Sequence, residues 1–235
     1  MRDIRKFSGR GKNQTLTEFI NDRILKELAI EPGDRLVDIG CGDGTLLRLA
    51  MLRGVSNVVG LSGSEEEAAS LRTLGLRVSQ AYTHSLPLPN NCASMVVCNG
   101  VLHIVSPDKV PASLREIARI SEKGARIWIG ELPRFREPTS VREFASYSAM
   151  LWWLLRNRGV RTFLGMCRRI LSGKQQAPTL RTAQSFWSAP ESFVTMASEA
   201  GLTVERHFPH QTLDGGHQPS LSSTRHDYVL RARTT

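Results

Sequence analysis

The chain has 235 residues, 40% of them hydrophobic and 23% charged, which excludes a disordered or fibrous chain and suffices for the core of one domain with a subdomain at most. The net charge of +9 is unevenly placed: residues 1–12 contribute +4 and residues 134–174 contribute +7, leaving −2 for the rest. An acidic surface would therefore meet two basic segments rather than a uniformly cationic body.

Apolar β-branched runs alternate with amphipathic helical patterns through the first 131 residues, the mark of a parallel sheet flanked by helices. Leu16, Phe19, Ile20, Ile24 and Leu28 predict a helix over about Thr15–Leu28, and the Pro32-Gly33-Asp34 turn leads into a strand at Arg35–Ile39. A helix from Gly44 to about Arg53, a strand at Asn57–Leu61, a helix at Ser64–Leu74, a short strand at Arg77–Gln80 and a strand at Ala93–Cys98 follow. Ser106 and Pro107 open the next helix, whose buried stripe is Val110, Leu114, Ile117 and Ala118; Gly124 ends it before a strand at Ala125–Glu131. Ser188-Ala-Pro-Glu191 reads as a capping box for a helix with Phe193, Met196, Ala197 and Ala200 inward. Strands at about Thr203–Phe208 and Asp227–Arg231, with a turn at Asp214-Gly215-Gly216, complete the pattern.

The most informative segment is Leu36-Val-Asp-Ile-Gly-Cys-Gly-Asp-Gly-Thr-Leu-Leu47, a buried strand running into three alternate glycines and then a helix. Glycine admits positive φ and close backbone approach, and a helix start offers unpaired N–H groups, so a polar ligand is expected there. The dinucleotide fingerprint G-x-G-x-x-G fails at Thr45, and the Gly-Lys-Ser/Thr of a phosphate loop is absent.

The segment resembles motif I of the class I S-adenosylmethionine-dependent methyltransferases, with Asp38, Gly40, Gly42 and Gly44 matching its acid and glycines. The resemblance covers roughly residues 30–131; Leu86-Pro-Leu-Pro89, Ala93-Ser-Met-Val-Val97 and Asn99-Gly-Val-Leu-His103 extend it. It implies a Rossmann-like, doubly wound α/β fold: a mostly parallel seven-stranded sheet with helices on both faces and a helical insertion after strand five. It also implies S-adenosylmethionine as cofactor, with Asp38, Gly40, Cys41, Gly42, Gly44, Leu61, Ser62, Tyr82, Thr83 and Asn99 in its site. Two positions depart from the family pattern. Ser62 stands where an acid ordinarily takes both ribose hydroxyls, and Tyr82 where another acid ordinarily meets the adenine amino group. Glu65 or Glu66 is then a candidate for the ribose, and Tyr82 for stacking on adenine.

Two functions stay open: methyl transfer to a small-molecule or sugar/glycan-type acceptor, at oxygen, or a catalytically impaired relative serving as a binding or regulatory subunit. For a hydroxyl acceptor, His103 is a candidate general base or a packing residue beneath the cofactor, and Glu131 faces the crevice at the sheet's carboxyl ends or caps a loop. His210 and His217 flank the late hairpin and can reach the site from above. No Asp/His cluster argues for a metal.

The organisation expected is a basic tail over residues 1–14 and a domain over 15–235, with a helical lid inserted at about 134–186. Phe144, Tyr147, Leu151 and Leu155, then Phe163, Met166, Cys167, Ile170 and Leu171, follow helical spacing, so two helices joined near Asn157–Gly159 are expected. Arg156, Arg158, Arg161, Arg168, Arg169 and Lys174 fill their other faces. The segment is either a lid with a solvated basic face, or a surface that sets Trp152 and Trp153 at the headgroups of an anionic membrane or binds an acidic glycan or lipid-linked acceptor. A nucleic-acid partner is disfavoured, because no aromatic platform or recognition helix accompanies the charge. The insertion, Phe186-Trp-Ser-Ala-Pro190 and Arg225-His-Asp-Tyr228 resemble methyltransferases encoded with bacterial surface-sugar pathways. The four cysteines show no metal or disulfide spacing, and the longest apolar run, Ala149–Leu155, is far short of a membrane span. A cytoplasmic location, peripheral at a membrane at most, is the expectation.

Overall fold

The computed structural model describes residues 13–135, 147–172, 186–214 and 216–233. Seven strands form one sheet in the order β3-β2-β1-β4-β5-β7-β6. They are β1 (Arg35–Ile39), β2 (Asn57–Ser62), β3 (Val78–Gln80), β4 (Ala93–Asn99), β5 (Ser121–Pro133), β6 (Leu202–Leu213) and β7 (Pro219–Ala232). Strands β1 to β5 run parallel, whereas β7 lies antiparallel to both β5 and β6. The doubly wound fold expected from the alternating pattern is present, its last hairpin supplying the reversed strand.

The helices divide between the two faces. Helices α1 (Gln14–Glu27), α2 (Thr45–Leu52) and α3 (Glu65–Arg72) bury Ile20, Ile24, Leu25, Leu47, Ala50 and Leu71 with Met95, Val97 and Trp128 on one face. Helices α4 (Val110–Ile120) and α6 (Pro190–Glu199) bury Val110, Leu114, Ile117, Phe193 and Ala197 with Val96, Ile127, Ile129 and Tyr228 on the other. β1 is buried at four consecutive positions, as a strand covered on both faces must be.

Several boundaries differ from expectation for local reasons. The first helix starts one residue earlier, at Gln14, because the Asn13 side chain accepts the N–H of Leu16; residues 1–12, on which the expected tail falls, lie outside the described residues. Pro107 opens a 3-10 turn, Pro107–Lys109, before α4 begins. α4 ends at Ile120 and Ser121 already pairs with Ala93, so Gly124, at φ 74°, sits within β5 where its register shifts. The expected capping box does not form: Ala189 is the cap of α6, and the Ser188 hydroxyl donates to the Ala189 carbonyl.

Residues 136–184 make a separate compact unit, of which 147–172 are described. Its helix α5 (Tyr147–Leu171) is broken at Gly159, whose φ of 78° and ψ of 169° no helix contains, giving the two helices expected on either side of that position. Trp152, Val160, Leu164 and Leu171 are exposed, as are Arg156, Arg161 and Arg168. Phe144 and Lys174 lie outside the described residues. No helix among the described residues is long and apolar enough to cross a membrane.

Candidate cofactor and acceptor site

The turn after β1 is built on glycine. Gly40, Gly42 and Gly44 have φ of 76°, 55° and 72°. A Cβ on Gly40 would meet the Val101 side chain at the end of β4, so the loop and the β4 end pack without room for one. The Gly40 and Cys41 N–H groups both donate to the Leu61 carbonyl, at 2.7 and 3.0 Å, which folds the loop over the end of β2 and brings Cys41 beside Ser62. Gly44 caps α2, and the Asp43 carboxylate accepts the Thr45 N–H at 3.0 Å.

Acidic groups gather around this loop. Asp38, at the end of β1, and Asp43 are both buried, and the second carboxylate oxygen of Asp43 is a buried acceptor without a hydrogen-bond partner. Burial pushes the Glu67 carboxyl above the ordinary carboxylate range, and the Asp43 charge adds to this, while a hydrogen bond from Ser62 opposes it. Burial likewise raises the Cys41 thiol, with Asp38 and Glu67 contributing, and pushes Cys98 up to about 12. Neither thiol is a nucleophile at neutral pH. An acceptor-rich cradle of bare backbone suits a ligand carrying a cation and several hydroxyl or amino donors.

A second polar cluster occupies the carboxyl ends of β4 and β5. Asn99 donates from Nδ2 to Glu131 Oε1 at 3.0 Å and accepts at Oδ1 from Trp128 Nε1 at 3.1 Å. Gly130 lies among them, and a Cβ there would overlap Asn99 Oδ1 and Trp128 Nε1. Glu131 holds φ at 60°, its N–H donates to Asp227 Oδ1 at 2.9 Å, and Arg225 stands 3.5 Å from its Oε2. Holding a non-glycine residue in the left-handed region costs on the order of 1 kcal/mol or more, which this network offsets.

Of the residues selected from sequence, Asp38, Gly40, Cys41, Gly42, Gly44, Leu61 and Ser62 come together at the ends of β1 and β2. The Ser62 hydroxyl is already engaged: it accepts the Ser64 N–H at 3.0 Å, and its single proton is shared between the Ser64 carbonyl, 3.1 Å away, and the Glu67 carboxyl. Glu65 pairs with Arg72, whereas Glu67, not singled out from sequence, is the carboxylate beside Ser62. Tyr82 is 60% exposed, with its ring 6.0 Å from that of His84. The Thr83 hydroxyl is spent on Ser113 of α4, 2.8 Å away. Asn99 belongs to the Glu131 cluster rather than to the glycine loop. His103 lies in a 3-10 turn, Leu102–Ile104, just past β4, where its carbonyl accepts the Phe186 N–H at 3.2 Å. His217 is in the hairpin turn, and His210 is drawn into the Glu131 cluster through Asp227.

Residues 37–129 match a family model described as a methyltransferase domain. The 27-O-demethylrifamycin SV methyltransferase of Amycolatopsis mediterranei is 33% identical over 134 residues, 53% of this chain and 48% of that protein. An O-methyltransferase of Aspergillus sclerotiorum is 27% identical over 126 residues, 51% of this chain and 47% of that protein. These matches span about half the length of the relatives. A crystal structure of an S-adenosylmethionine-dependent methyltransferase from Aquifex aeolicus superposes with a TM-score of 0.60 at 14% identity, covering 99% of this chain and 100% of that one. Residues 37–129, which carry the glycine loop, thus match a methyltransferase domain, on a fold shared with the Aquifex aeolicus enzyme. The acid-lined glycine cradle fits a cationic ligand such as S-adenosylmethionine.

Proposed function

We propose that the protein transfers a methyl group from S-adenosylmethionine to an oxygen of a small-molecule or sugar/glycan-type acceptor. The observation that carries this reading is the loop Asp38–Gly44, three glycines at positive φ between buried carboxylates, at the same sheet end as the Asn99–Glu131 cluster. The oxygen is supported by the two relatives named above for O-linked methyl groups or O-methyl transfer.

The cofactor supplies an electrophilic methyl group on a sulfonium. Asp38, Gly40, Cys41, Gly42, Gly44, Leu61, Ser62, Tyr82, Thr83 and Asn99 are the residues proposed for its site, with Glu67 added as the carboxylate beside Ser62. His103 and Glu131 line the acceptor side. The protein's work there is positioning, because an in-line displacement needs the acceptor held at close approach and water kept away.

The test is calorimetry with S-adenosylhomocysteine followed by a screen for its production from S-adenosylmethionine over a panel of hydroxylated small molecules and saccharides. Binding that Asp38→Ala weakens by about tenfold or more, the scale of one hydrogen bond to a charged group, together with turnover of a panel member, is the expected result. Absence of binding at millimolar ligand would overturn the reading. Binding without turnover of any panel member would favour the second reading, a binding or regulatory subunit. The engaged Ser62 hydroxyl and exposed Tyr82, where carboxylates are usual, are the observations in its favour.

A further inference from the structure

The Glu131 cluster continues into a histidine that the reading above leaves without a role. Because β7 is antiparallel to both β5 and β6, β6 runs in the direction of β5. The C-terminal half of β6, with His210, therefore lies at the sheet end that carries the glycine loop, Asn99 and Glu131. His210 Nδ1 is 2.9 Å from Asp227 Oδ1 and 3.0 Å from Oδ2. Arg23 Nη1 approaches Oδ2 at 3.1 Å, and the Glu131 N–H approaches Oδ1 at 2.9 Å.

Asp227 is fully buried and His210 nearly so. With Arg23 and a backbone N–H as its other partners, the carboxylate can only accept from the imidazole. That places a proton on Nδ1, so in the neutral ring the lone pair sits on Nε2. A purely structural tie between α1 and the hairpin would need only Arg23 and Asp227. The imidazole adds to that tie an oriented basic nitrogen.

We propose that His210, oriented by Asp227, is the general base for a hydroxyl acceptor, an inference that rests on the methyl-transfer reading. As the acceptor oxygen bonds to the methyl carbon, the carbon–sulfur bond breaks and its electron pair returns to sulfur. The hydroxyl proton passes to Nε2, so the neutral thioether leaves and the imidazolium rests against Asp227. A neutral hydroxyl needs this acceptor of its proton, whereas a thiolate does not. The site therefore favours alcohols and phenols, Asp227 and Arg23 acting as positioning residues.

The experiment compares phenol with thiophenol, at a mildly alkaline pH where the thiol ionises unaided, in the wild type, His210→Gln and His103→Gln. S-adenosylhomocysteine affinity and the 15N NMR tautomer of His210 are read alongside. His210→Gln should lower kcat/KM for phenol by about 100-fold or more and for thiophenol by less than about threefold, with the affinity unchanged. The wild-type ring should carry its proton on Nδ1, and Asp227→Asn should abolish that preference if it folds. Equal losses on both acceptors, no loss on phenol, or a proton on Nε2 would overturn the assignment, as would a phenol-selective loss in His103→Gln alone. Turnover of neither probe while S-adenosylhomocysteine binds would overturn this assignment, the methyl-transfer reading itself being decided by the panel of hydroxylated small molecules and saccharides, whereas lack of binding would remove the cofactor site itself.

Discussion

Gly40 and Glu67 show how single residues set the terms of the cofactor site. An alanine at Gly40 must hold φ near 76° and place its Cβ against Val101, so Gly40→Ala should destabilise the domain by about 2 kcal/mol in chemical denaturation. It should also weaken S-adenosylhomocysteine binding, because the β4 end moves away from the loop. Glu67 works in the opposite sense. Its carboxyl is held above the ordinary range chiefly by burial, so the folded protein binds that proton more tightly than the unfolded chain does. The ionised form therefore costs stability at neutral pH, a cost that fades as the pH falls through and below the carboxylate range. Glu67→Gln should raise the Tm of the unliganded protein by about 2 °C at neutral pH and leave it unchanged in acid. The same variant should bind S-adenosylhomocysteine less tightly, which separates a carboxylate kept for a ligand from one kept for the fold.

At the scale of elements, the decisive join is between α1 and the β6–β7 hairpin. Arg23 reaches the fully buried Asp227 and lies over the Phe208 ring, 4.9 Å from its centroid, so one side chain both neutralises a charge and closes an aromatic contact. Arg23→Leu keeps the apolar stem but leaves the carboxylate with His210 and one backbone N–H. Breaking a buried pair on one side costs about 3 kcal/mol, so the Tm should fall by roughly 6–12 °C in scanning calorimetry. On the α4–α6 side the Phe193 and Tyr228 rings meet with centroids 4.4 Å apart, while α4 makes its polar joins through Glu116, which accepts the Leu86 N–H, and Arg119, which donates to the Leu86 and Leu88 carbonyls. The Arg23–Asp227 join is the one next to the proposed base.

For the whole molecule, the placing of charge outweighs its sum. The segment 144–174 was read as a candidate anionic-membrane contact, and α5 exposes Trp152, Leu164 and Leu171 together with Arg156, Arg161 and Arg168. The protein should co-sediment with phosphatidylserine vesicles in low salt, and Trp152→Ala should lower the bound fraction severalfold; sedimentation unaffected by salt or by this change would refute the contact. Strand positions β1 to β5, the glycine loop and the break at Gly159 were legible in the sequence, because each rests on local periodicity or on a residue with special backbone freedom. The Ser188 box was misread because a matching pattern does not guarantee that the side chain turns toward the helix. The Asp227–His210 pair was not legible, since its partners lie 17 residues apart across a hairpin whose pairing shifts register twice. Glu67 was missed for a neighbouring glutamate because one helical residue is a rotation of about 100°, and only the cap at Ser64 sets which glutamate turns inward. Those register shifts also affect how copies of the protein meet. β6 is a twelve-residue outer strand, long enough to recruit a strand from another copy, yet it is offset near Val204/Arg206 and Pro209/Gln211, carries Glu205 and Arg206, and lacks an N–H at Pro209. An incoming strand would find an interrupted ladder, so the irregularities that bring His210 to Asp227 also keep the sheet from extending from one molecule into the next.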